Sequence, residues 1–191
     1  DPRSQVPNQP WSEGDMPREG VVHIDLYTSG RKFGEFPLEP STGRTLEVDR
    51  TMIWDRGKYE LDDPDRDGHL NGVEISGHQT GHCGLIQWRL IKSIPDERFR
   101  EIVDYIIQMC KEIIQEARKR PKEDVDGARV HRGRGRSSCK SGRHRALTMA
   151  FLAAEIFRAW GCTVRIHHLS LWRGEIHYRG ENCKNKTNCR N

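Results

Sequence analysis

The apolar positions of this chain fall into a few short runs separated by long polar stretches. Val21 to Tyr27 is apolar enough for a strand and ends at Ser29-Gly30. Leu46 to Ile53 is a second candidate strand, and the acidic, polar run from Asp55 to Gly68 reads as a loop. Phe99, Ile102, Val103, Ile106, Ile107, Cys110, Ile113 and Ile114 recur at three- and four-residue steps, which is the spacing of one helix face. That helix starts at Ser93-Ile94-Pro95-Asp96, with a small polar cap, an early proline and an acid three residues on, and Pro121 ends it. Cys110 lies on its apolar stripe and is expected in the core. A short strand is expected around Ala128 to His131, followed by a basic loop. A second helix runs from about Arg143 to Trp160, with Leu147, Ala150, Phe151, Ala154, Phe157 and Trp160 facing the core and Gly161 as its left-handed stop. Cys162 to His167 then reads as a strand. Strand, loop, helix, glycine, strand is a βαβ unit, so the expected fold class is α/β with a sheet containing a parallel βαβ unit.

Composition adds limits. The 191 residues suit one domain, but 34% hydrophobic against 31% charged residues makes the core economical and leaves some segments solvated. Residues 1–20, rich in proline and polar side chains, read as a disordered or draped arm. The domain is expected over 21–175 and a basic tail over 176–191. The chain starts with Asp, which reads as a fragment or a processed chain. No apolar run approaches the roughly 20 residues that a bilayer span needs. The six cysteines are spread through a core-forming domain, which suits reduced thiols and a cytoplasmic location. Trp88, Trp160 and Trp172 are expected to pack rather than stack on a ligand.

The net charge of +4 is modest, but its distribution is not. From Gly127 to Ala154 there is no Asp or Glu, while Arg129, Arg132, Arg134, Arg136, Lys140, Arg143 and Arg145 are cationic. Within this block, Cys139-Lys140-Ser141-Gly142-Arg143-His144-Arg145 opens the second helix. A helix start has unpaired N–H groups and the positive end of the dipole. Ser141 and Gly142 are small enough to let an anion approach the backbone. Arg143 and Arg145 add bidentate donors and His144 adds another. The expected chemistry is a phosphate-binding loop at a helix N-terminus.

Ser138-Cys139-Lys140-Ser141-Gly142-Arg143-His144-Arg145-Ala146 resembles the Gly-Cys-Thr-Gly-Gly-x-His-Arg-Ser loop in the C-terminal domain of the RNase adapter protein family RapZ. The likeness extends to Gly161, Val164, Arg165, His167 and His168 downstream, and to Phe33-Gly34 and Asp49-Arg50 upstream. It covers roughly Val21 to Leu171 and is specific only from Cys139 to Arg145. Lys140 and Ser141 stand where the family has Thr-Gly. The resemblance implies an α/β domain that binds small regulatory RNA, senses a phosphorylated amino sugar and forms homo-oligomers. Carried over residue by residue, it assigns Ser141, Gly142, His144 and Arg145 to the phosphate.

Three other chemistries compete. Cys139 to Arg145 also satisfies Cys-x-x-Gly-x-x-Arg, the loop of cysteine-dependent phosphatases, with Cys139 as nucleophile and Arg145 as phosphate ligand. Such enzymes usually carry His before the Cys and Ser or Thr after the Arg, where this chain has Ser138 and Ala146. RNA binding is a further expectation, carried by Arg132, Arg134, Arg136 and Lys140 in an Arg-Gly-rich flexible segment. Metal chemistry is weakest. Asp63, Asp65, Asp67, Gly68 and Glu74 fall at calcium-loop positions, but Pro64 and the absence of flanking helices oppose that reading. His78, His82 and Cys83, and His177, Cys183 and Cys189, have no recognised zinc spacing. The expectation is a phosphorylated small-molecule ligand, with RNA as a possible second partner, no membrane, no metal and no cofactor.

Overall fold

The computed structural model describes residues 21–33, 43–62, 69–70, 73–74, 81 and 84–169. The expected arm, the basic tail, Asp63, Asp65, Asp67, Gly68, both histidine–cysteine clusters and Trp172 lie outside these residues.

The first apolar run forms strand β1, Val22–Gly30, and all nine of its residues are buried. Such burial on both faces marks a central strand of a parallel sheet. The sheet contains β2 (Arg50–Ile53), β6 (Ala128–Cys139) and β7 (Thr163–His168) in the order β2-β6-β1-β7, every neighbouring pair parallel. Strand β5, Glu123–Val125, pairs antiparallel with the start of β6. Asp126 and Gly127 join them, with φ of 52° and 83°, as a two-residue hairpin with both central residues at positive φ requires. A separate two-stranded ladder pairs β3, His69–Leu70, with β4, Val73–Glu74.

Among the described residues, three α-helices complete the fold: α1 (Gly84–Ser93), α2 (Asp96–Lys119) and α3 (Arg145–Ala159). The periodic stripe of α2 is the one expected, with Ile102, Ile106, Cys110, Ile113, Ile114 and Ala117 buried. Asp96 and Glu97 in its first turn and Arg118 and Lys119 in its last complement the helix dipole. Burial pushes the Cys110 thiol well above its ordinary range, in keeping with a packing role. Gly161, at φ 78°, stops α3, and the Cys162 N–H reaches the Phe157 carbonyl at 3.0 Å in the manner of a left-handed cap. The α/β class is as expected, with one refinement. Strands β6 and β7 flank β1 and each pairs with it, rather than pairing with one another.

The basic segment departs from expectation. It is not a loop after a short strand. Residues Ala128–Cys139 form one unbroken twelve-residue strand in the middle of the sheet. The reason is alternation, because successive residues face opposite sides. Gly133 and Gly135 lie under α2. A Cβ on Gly133 would sit 2.8 Å from Ile113 Cγ2 and 2.9 Å from Ile24 Cδ1, and one on Gly135 would sit 2.8 Å from Ile113 Cδ1. The glycines therefore let the helix approach the sheet, while Arg132, Arg134 and Arg136 occupy the opposite face.

That opposite face is charged and balanced. Asp25 on β1 is fully buried, and its carboxylate accepts from Arg132 Nε at 2.6 Å and bonds His167 Nε2 at 2.6 Å. The His167 ring stacks on Tyr27 with centroids 4.8 Å apart. Arg134 Nη2 reaches Glu123 at 2.8 Å, and Arg132 Nη1 reaches the same carboxylate at 3.5 Å. Burial alone would raise the Asp25 carboxyl. The hydrogen bonds from His167 and Arg132, with the charges of Arg132 and His23, outweigh it and hold the group below the ordinary carboxylate range.

Candidate functional site

In a parallel α/β sheet, ligands gather beyond the carboxyl ends of the strands. Here those ends are Gly30 of β1, Ile53 of β2, Cys139 of β6 and His168 of β7, and the loop from Cys139 to His144 stands among them. Backbone contacts bind it to both neighbouring strands. The Lys32 N–H donates to the Lys140 carbonyl at 3.0 Å, and the Trp54 N–H to the Ser138 carbonyl at 2.9 Å.

Gly142 turns the chain at φ 72°, with its N–H donating to Cys139 Sγ at 3.2 Å. Its α-carbon lies against β1, since a Cβ there would come within 2.6 Å of the Gly30 nitrogen and 2.7 Å of the Ser29 carbonyl carbon. The contact is reciprocal, because a Cβ on Gly30 would meet the Ser141 carbonyl carbon and oxygen at 2.5 Å. Gly142 is thus glycine because a neighbouring strand crosses its α-carbon. Close approach of an anion, the reason read from the sequence, is not needed to explain it.

The start of α3 is fixed from below. Ser137 Oγ donates to the Ala146 carbonyl at 2.7 Å and bonds Trp54 Nε1 at 2.8 Å. His144, buried, holds the N-cap position, and its carbonyl accepts the first helical bond, from the Thr148 N–H at 3.0 Å. No side chain caps this helix and no acidic residue occupies its first turn, whereas α2 places Asp96 and Glu97 there. The positive end of the α3 dipole is therefore not offset by a carboxylate of the helix's own first turn.

The loop residues expected to bind phosphate part ways structurally. Ser141, Gly142, Arg143 and His144 are contiguous at the sheet edge, with Ser141 and Arg143 partly exposed and Lys140 exposed. Arg145 is buried, with its Nη1 donating to the Leu61 carbonyl at 2.8 Å. It therefore ties the loop following β2 to the helix start. The Arg143 carbonyl accepts from the Gly81 N–H at 2.7 Å. Cys139 is buried beneath the turn, with 1% exposure.

Of the basic strand residues, Arg132 and Arg134 do not join this loop. At about 3.3 Å per residue, Arg132 lies on the order of 20 Å along β6 from Cys139, too far to share one phosphate. Arg132 and Arg134 are engaged by Asp25 and Glu123, so the expectation of a flexible Arg-Gly segment is corrected here to a paired strand. Among the described residues no group of three or more His, Cys, Asp or Glu is placed to hold a metal ion, and no helix is long and apolar enough to cross a membrane.

Sequence reasoning missed Gly30, Arg31 and Asp55. Arg31 Nε donates to Asp55 Oδ1 at 3.1 Å and its Nη2 donates to Oδ2, a bidentate pair joining the exits of β1 and β2. The signal for Gly30 was its place at the strand end, but its partner could not be seen without the fold. No protein-family model matches the chain and no curated protein matches it, so its role is read from this site.

Proposed function

We propose that this chain is a binding domain for a phosphorylated small molecule, a sugar phosphate or a nucleotide, held at the Cys139–His144 loop. The observation that carries the reading is a glycine-turned loop at the end of a central parallel strand, feeding a helix that has neither a capping side chain nor an acid in its first turn. First-turn N–H groups have no partner within the helix, and with the dipole they favour an anion. Lys140 and Arg143 supply cationic side chains at the same place. The Ser138–Ala146 motif adds the likeness to the RapZ C-terminal domain, and a role as a ligand sensor belongs to the same reading. Arg145 acts in it as an anchor for the loop rather than as a direct phosphate ligand.

Calorimetric titration with inorganic phosphate, a hexose phosphate and a nucleoside monophosphate tests this. Ser141→Asp places a carboxylate in the loop and is expected to weaken binding at least about tenfold, without a large change in melting temperature. Unchanged affinity in this variant would place the anion elsewhere. Release of inorganic phosphate that disappears in Cys139→Ser would replace binding with catalysis, and binding of RNA but of no small phosphate would make nucleic acid the ligand.

A further inference from the structure

We propose that Asp25 and His167 form a reactive dyad, in which the solvent-facing Nδ1 of His167 attacks an uncharged electrophilic carbonyl such as that of an ester. Its chemistry does not depend on a ligand at the Cys139–His144 loop.

The two side chains share the sheet face turned away from α2 and α3. Ile113 of α2 lies over Gly133 and Gly135, and the Ser137 hydroxyl bonds the Ala146 carbonyl of α3. Alternation along β6 therefore sends Arg132, and its neighbours Asp25 on β1 and His167 on β7, to the other side. Asp25 is fully buried there, with Arg132 Nε at 2.6 Å. An ionised carboxylate can only accept, so its 2.6 Å contact with His167 places the ring proton on Nε2 and leaves the Nδ1 lone pair open. Among the described residues that Nδ1 has no hydrogen-bond partner, and the His167 side chain is 32% exposed. The stack on Tyr27 fixes the ring plane. His23 is a second imidazole at Asp25, 3.4 Å away, but it is buried and its Nδ1 is bonded to Thr163. Only His167 of the two is both oriented and accessible.

A buried carboxylate behind an imidazole fixes its tautomer and stabilises the cation formed when the other nitrogen reacts. Arg132, Arg134 and Arg165 are paired with Asp25, Glu123 and Asp126, so none of them is offered to a phosphate. An uncharged carbonyl is the electrophile that suits this face. Nδ1 attacks the carbonyl carbon, the N–C bond forms, and the ester C–O bond breaks with its electron pair leaving on the alkoxide or phenolate. The acylimidazolium keeps its Nε2 proton, hydrogen-bonded to Asp25. Water then cleaves the N–C bond, which yields the carboxylic acid, restores the neutral ring and releases one proton to solvent.

The probes are 4-nitrophenyl acetate and diethyl pyrocarbonate, applied to the whole chain at neutral pH. Nitrophenolate release by the wild-type protein is expected to fall at least about tenfold in His167→Gln, whose side-chain amide retains an N–H for Asp25. Carbethoxylated histidines are mapped by mass spectrometry. His167 is expected to react at least about tenfold faster than His131, whose Nδ1 donates to the Arg120 carbonyl at 3.2 Å. In Asp25→Asn the His167 rate should fall toward that of His131, with His131 itself unchanged. A carboxylate with only a structural role would, when removed, loosen the sheet and raise both rates, which would overturn the dyad. If Asp25→Asn does not fold, the wild-type ratio decides. Equal nitrophenolate release by wild type and His167→Gln, or a His167 that reacts no faster than His131, overturns the proposal.

Discussion

Gly142→Ala is expected to destabilise the domain by about 3 kcal/mol, the sum of two separate penalties. The first is conformational. Gly142 sits at φ 72°, where an alanine costs about 1 kcal/mol. The second is steric, because the added methyl carbon would lie 2.6 Å from the Gly30 nitrogen and 2.7 Å from the Ser29 carbonyl carbon. Both are backbone atoms of a fully buried central strand, so neither can swing aside as a side chain would. Overlap of this kind costs about 1–3 kcal/mol. Gly30→Ala isolates the steric part, since it meets the Ser141 backbone at 2.5 Å with no positive φ to strain. Urea unfolding should show a lower midpoint for both variants with an unchanged slope, and the larger loss for Gly142→Ala. A Gly142→Ala protein within about 0.5 kcal/mol of wild type would contradict the packing described here.

Removing the Asp25 carboxylate is expected to cost about 3–5 kcal/mol, the range for leaving one partner of a buried ion pair uncompensated. Asp25→Ala would leave Arg132 with only its longer contact to Glu123 and would remove the Asp25 partner of His167. The pH dependence has a definite sign. The folded-state carboxyl is held below its unfolded value, so the unfolded chain takes up the proton more readily. The contribution of Asp25 is therefore complete above the unfolded value of about 3.9 and fades as pH falls below it toward the depressed folded value. The stability gap between wild type and Asp25→Asn should narrow as pH falls below about 4. A gap that fails to narrow below about pH 4 would show that Asp25 is not the charged centre of this face.

The loop and both long helices were legible in the sequence because each has a local cause. The stripe from Phe99 to Ile114 states its own period, and Gly161 states the stop of α3. The basic strand was not legible, because its determinants are distant. Arg132 and Arg134 look like solvated charge until Asp25 and Glu123 are brought beside them, and Gly133 and Gly135 look flexible until Ile113 lies across them. The strand expected to begin at Leu46 begins at Arg50, where pairing with Gly135 starts. Helix α1 carries no acid in its first turn and leaves Trp88 exposed, so its pattern is weak. The motif residues Cys139 to Arg145 do lie between the β6 exit and the α3 start, but the sequence alone could not show that Arg145 turns to the Leu61 carbonyl.

The most direct measurement is a titration of inorganic phosphate into uniformly nitrogen-15-labelled protein at constant pH, followed through its backbone amide resonances. The account predicts saturable shifts that are largest from Ser141 to Leu147, with smaller ones from Gly30 to Lys32, and their loss in Ser141→Asp. Saturable shifts centred on Arg129 to Arg136, or no saturable shift in the loop at all, would contradict it.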